Sequence, residues 1–90
     1  MKLPQISGKE LIKIFIKFGF IVVRQKGSHV RLEKITPEKT IKLTIPMHDQ
    51  FKKGTLSQII KDSKIDEKEL EEYFWEYTII IISQHTFIFK

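Results

Sequence analysis

Residues 19–34, "GFIVVRQKGSHVRLEK", decide how the chain is read. Phe20 to Gln25 is rich in β-branched side chains, and Val30 to Glu33 alternates apolar with polar, so both runs read as strands. Lys26-Gly27 separates them. A two-residue turn there, with glycine supplying a positive φ, pairs Gln25 with Ser28 and Arg24 with His29. Val23 then lies opposite Val30, and Ile21, Val23, Val30 and Leu32 point to one buried face. His29 takes the other face, with arginine and lysine around it.

The flanking segments complete a small domain. Upstream, Ser7-Gly8-Lys9-Glu10 has the form of a capping box, with Ile6 and Leu11 at the positions of a hydrophobic staple. Leu11, Ile14, Phe15 and Phe18 follow at helical spacing, and Gly19 is a natural stop, which predicts a helix over 8–18. Downstream, Thr36-Pro37-Glu38 turns the chain into a third strand over Thr40 to Ile45, closed by Pro46. Pairing Leu32 with Ile41 and Val30 with Leu43 buries Ile41, Leu43 and Ile45. It also sets His29 beside Thr44 and Arg31 beside Lys42. Met47 to Gly54 reads as a loop, and Thr55-Leu56-Ser57-Gln58 as a second capping box opening a helix that ends near Ser63. Asp66 to Glu69 forms a third, with Ile65 and Leu70 as its staple.

The order is helix, three strands, helix, short helix. The fold class is therefore α+β: an α-β-β-β-α sandwich whose three-stranded antiparallel sheet carries its helices on one face. Residues 1–77 make the domain. Residues 78–90, "TIIIISQHTFIFK", form an apolar C-terminal extension without strand alternation, expected to dock as an added strand or to pair with a second chain.

Composition bounds the function. Hydrophobic residues are 41% and charged residues 30% of the chain's 90, ordinary for a globular domain and too apolar for a disordered one. The absence of cysteine excludes a disulfide scaffold and a thiolate zinc site. The longest apolar run, Ile79 to Ile82, is far short of the roughly 20 residues that span a bilayer. With no signal-peptide pattern at Met1-Lys2-Leu3, the expected location is the cytoplasm. A net charge of +5 makes a polyanion a natural partner, nucleic acid first.

His29 is the first candidate for chemistry, because histidine exchanges protons near neutral pH. RNA carries its own nucleophile, the 2′-OH, which a general base can direct at the adjacent phosphorus without a metal. Arg24, Arg31 and Lys42 stand where they can hold that phosphate, and Lys26 and Ser28 flank the turn beside it. Alternatively, His29 is an exposed strand residue with no chemical task. Lys52 and Lys53 precede Gly54 and a helix start, a simple phosphate site or an ordinary solvated loop. His48, in Pro46-Met47-His48-Asp49, is a possible auxiliary: it either protonates the leaving 5′-oxygen or orients the loop through Asp49. His85, in the extension, reads as structural or exposed. No metal site and no cofactor are expected, since the histidines are widely spaced and no glycine-rich phosphate loop is present.

These residues also carry a resemblance. "GFIVVRQKGSHVRLEK" and "IKLTIPMHDQFKKGTLSQIIKD" (41–62) resemble the HicA family, the small mRNA interferases of toxin–antitoxin pairs, and the opening helix extends the likeness over about residues 3 to 74. Gly27, Ser28, Pro46, His48, Gly54, Thr55 and Leu56 match the motif, while the chain beyond Trp75 departs from it. The resemblance implies a double-stranded-RNA-binding-like fold. It implies metal-independent endonucleolytic cleavage of mRNA in a stress-response setting, with His29 as the catalytic residue. It further implies a cognate HicB-like antitoxin that covers the active face. The rival assignment is a non-catalytic RNA-binding module, in which the basic face grips phosphates and His29 is incidental. A dimeric adaptor is a third, so the chain is expected to be a monomer or a homodimer.

Overall fold

Ser7 opens the first helix in the manner its sequence requires. Its hydroxyl accepts from the Glu10 amide at 3.2 Å, and the Glu10 carboxylate accepts in return from the Ser7 amide at 3.2 Å and its hydroxyl at 2.9 Å. Such a cap contributes about 0.5–2 kcal/mol. The staple residues Ile6 and Leu11 are both buried. In the computed structural model, which describes residue 3 and residues 5–76, the elements run α1 (Gly8–Lys17), β1 (Ile21–Lys26), β2 (His29–Ile35), β3 (Thr40–Pro46) and α2 (Lys53–Ser63). A further helix, α3, occupies 67–76. Its start is capped by the Asp66 carboxylate, which accepts from the Lys68 and Glu69 amides at 2.9 and 3.1 Å. The expected extension over 78–90, the domain boundary at 77 and His85 lie outside the described residues.

The sheet is antiparallel in the order β1-β2-β3. Val30 and Leu32 from β2, with Leu43 and Ile45 from β3, turn one face inward against Leu11, Ile14 and Phe15 of α1, Leu56 and Ile60 of α2, and Leu70 and Phe74 of α3. The helices lie over that single face, and their contacts with the sheet concentrate on β3. The expected α+β architecture is thus present.

The register differs from expectation in three places. First, the hairpin turn is Gly27-Ser28 rather than Lys26-Gly27, so Lys26 pairs with His29, Gln25 with Val30 and Arg24 with Arg31. Gly27 has φ +59°, and Ser28 is not among the positive-φ residues, which puts glycine first in the turn as a type II′ loop prefers. The expected placement would have forced lysine into that conformation. Second, β2 and β3 are slid by two residues: Val30 pairs with Ile45, Leu32 with Leu43, Arg31 with Thr44 and His29 with Pro46. A two-residue slip preserves which face each side chain takes, so the core survives the error.

Third, Ile21 and Val23 are not core residues. A bulge between Val22 and Arg24 shifts the ladder, pairing Val22 with Leu32 and Ile21 with Glu33. All six residues of β1 are exposed, Ile21, Val22 and Val23 at 55%, 48% and 43%. Among the described residues the strand is a sheet edge away from the helices, and Phe20, just before it, fills the core instead.

Candidate functional site

Among the described residues, nothing covers the sheet face opposite the helices. Alternation places His29 and Arg31 of β2 there, next to Lys26 and Arg24 of β1 on one side and Pro46 and Thr44 of β3 on the other. His29 is exposed and Arg31 half-buried between its neighbours. Two adjacent ladder positions, Lys26–His29–Pro46 and Arg24–Arg31–Thr44, therefore gather one imidazole and three cations at the hairpin end of the face. The opposite end of the same face is different in character, with Ile21 and Ile35 exposed and Glu33 paired to Lys42.

Each position has a local cause. Gly27 lets the chain reverse within two residues, which makes His29 the first residue of β2. The Gln25 side-chain amide donates to the Gly27 carbonyl at 3.2 Å and braces the turn. The ladder continues one step past β3, where the Met47 amide donates to the Ser28 carbonyl at 2.7 Å. Beyond it the His48 carbonyl accepts from the Gly8 amide at 2.9 Å, tying the segment after β3 to the start of α1.

Not all the sequence-derived candidates meet. Arg24, Lys26, His29 and Arg31 are direct ladder neighbours, and Ser28 occupies the turn beside them. Lys42 shares the face but lies opposite Glu33, rather than beside Arg31 as expected. Lys52 and Lys53 begin α2: Lys52 is its N-cap, with extended backbone and no side-chain cap. The expected capping box at Thr55 is absent, because the helix starts nearly a full turn earlier and the Leu56 amide donates to the Lys52 carbonyl at 3.0 Å. Lys53 lines an open pocket of about 350 Å³ with Ser57, Ile60 and Glu67, a mixed-charge setting unlike the sheet face. His48 is exposed and its ring lies 6.0 Å from that of Phe51.

An open antiparallel sheet face carrying a histidine among cations, on a helix-backed α-β-β-β-α frame, defines the class: a small α+β domain with a cationic sheet face. The family model for the HicA toxin of bacterial toxin-antitoxin pairs matches residues 8–65, from the first residue of α1 to just past α2. The chain belongs to that family, and is accordingly the toxin component of such a pair, whose partner is an antitoxin. Searches among curated proteins and among solved structures gave no match. Among the described residues, no helix is long and apolar enough to cross a membrane.

Proposed function

We propose that this toxin is an endoribonuclease that cuts mRNA at the bare sheet face without a metal. The observation that carries the proposal is the ladder position of His29, flanked by Lys26, with Arg24 and Arg31 one position along. A phosphodiester lying across β1 and β2 would find its oxygens among those cations. His29 then takes the proton of the ribose 2′-OH; the O2′–P bond forms, the P–O5′ bond breaks, and the products end in a 2′,3′-cyclic phosphate and a 5′-hydroxyl. General base catalysis of this kind contributes about 10²–10⁴-fold. Charge placed where the phosphorane gathers negative charge contributes further. DNA lacks the nucleophile and is bound without being cut.

Lys42, Lys52 and Lys53 extend the path of the strand beyond the scissile bond, and Ser28 contacts it at the turn. The antitoxin is of the HicB type and works by covering this face, in the cytoplasm where mRNA is the abundant substrate.

The test is cleavage of an unstructured RNA in excess EDTA, by the parent protein and by His29→Ala. The parent is expected to cut and the variant to bind RNA with similar affinity while leaving it intact. A parent that binds but does not cut would establish the RNA-binding module instead. Equal cutting by both proteins would remove His29 from the chemistry.

A further inference from the structure

We propose that His48 is the general acid of this site, protonating the 5′-oxygen as it leaves. The inference rests on the ribonuclease proposal and completes its proton balance: one proton enters His29 from the 2′-OH, and another leaves His48 for O5′.

Three observations place His48 for that task. The Met47–Ser28 hydrogen bond carries the β2–β3 ladder one residue past Pro46, to Met47. Leu43 and Ile45 are buried and Met47 packs against the same core, which assigns the intervening Thr44 and Pro46 to the outer face, and His48, the next residue, is exposed. Pro46 is the direct partner of His29, so His48 follows two residues along the chain from that partner. A base and an acid must each come within about 2.6–3.2 Å of their own oxygen, on opposite sides of one phosphorus. Two imidazoles in direct contact cannot do this; His48, two residues on from the ladder partner of His29, is near it without being its direct neighbour.

The other role open to His48, orienting its loop through Asp49, has no hydrogen bond behind it among the described residues. Its ring has Phe51 at one side, and the residue is exposed. The backbone, by contrast, is fixed from two directions, through Met47 to the turn and through the His48 carbonyl to Gly8. An exposed side chain on a clamped backbone suits a group that must deliver a proton.

The experiment uses RNA in which sulfur replaces the bridging 5′-oxygen at one linkage. A thiolate leaves without protonation, so a missing acid no longer matters on this substrate. His48→Ala is expected to cut ordinary RNA about 10²–10⁴-fold more slowly than the parent. On the sulfur-bridged substrate it should match the parent, while His29→Ala stays slow on both. His48→Asn, which keeps a polar side chain, should repeat the pattern, with thermal melting showing that each variant is folded. Parent-like cutting of ordinary RNA by either folded His48 variant overturns the assignment and leaves His29 in place. An equal deficit on the two substrates overturns it as well, since His48 would then position RNA rather than donate a proton. A parent that cuts neither substrate removes the ribonuclease proposal itself, a distinct result.

Discussion

At the scale of single residues, Gly8 shows how tightly the site is tied to the rest of the chain. It is buried as the first residue of α1, and a Cβ there would overlap the Pro46 carbonyl oxygen and stand 3.1 Å from the Met47 Cα. Its amide holds the His48 carbonyl at 2.9 Å. Alanine is the better helix former by about 1 kcal/mol, so propensity alone favours Gly8→Ala. The close approach reverses the sign: backbone rather than a flexible side chain must move, and crowding of this kind costs about 1–3 kcal/mol. Gly54, in the first turn of α2, has nothing within 4 Å of the same added atom. We expect Gly8→Ala to lower the urea midpoint and slow RNA cleavage, and Gly54→Ala to raise the midpoint by about 0.4–1 kcal/mol of stability. Two shifts of the same sign would show that contact with Pro46 is not what selects glycine at position 8.

At the scale of elements, β1 separates what the sequence discloses from what it hides. Val22 is the ladder partner of Leu32, yet Val22 is 48% exposed and Leu32 is fully buried. Val22→Thr should therefore change stability by less than about 0.5 kcal/mol, as surface substitutions do. Leu32→Ala should cost about 2–5 kcal/mol, as buried leucines do. Comparable losses in chemical denaturation would mean that β1 is covered in solution. The sequence did not disclose this exposure, because Ile21-Val22-Val23 is uniformly β-branched and offers no alternation from which to assign a face; a bulge hidden in such a run leaves no mark. The α1 cap was legible because Ser7 and Glu10 satisfy each other's amides locally. The similar pattern at Thr55 misled because α2 is held by its buried stripe, Leu56, Ile59 and Ile60, which fits either start. His29 and its cations could be placed on one face from sequence, since face follows parity. Their partners could not, since a two-residue slip is invisible to parity. That the ladder reaches Met47, one residue past Pro46, could be seen only in the structure.

Across the whole molecule, charge is distributed over more than one surface, and only part of it faces the proposed substrate. The net charge is +5. Arg24, Lys26 and Arg31 lie on the bare sheet face, whereas Lys9, Lys13 and Lys17 sit exposed or solvent-facing on α1, behind the sheet. A general electrostatic attraction would draw on both sets. A seated strand would draw on the first alone, because only those cations displace counterions from the phosphates they touch. For single-stranded RNA each such contact contributes about −0.7 to the slope of log affinity against log salt. Binding of unstructured RNA by the uncleaving His29→Ala protein, followed by fluorescence anisotropy between about 50 and 200 mM salt, separates the two cases. Arg24→Ala or Arg31→Ala added to that background should flatten the slope by roughly 0.7 each and weaken binding. Lys13→Ala on α1 should leave the slope where it was. If all three flatten it alike, the RNA is held by the overall charge, and the sheet face loses its claim to be the place where the strand lies.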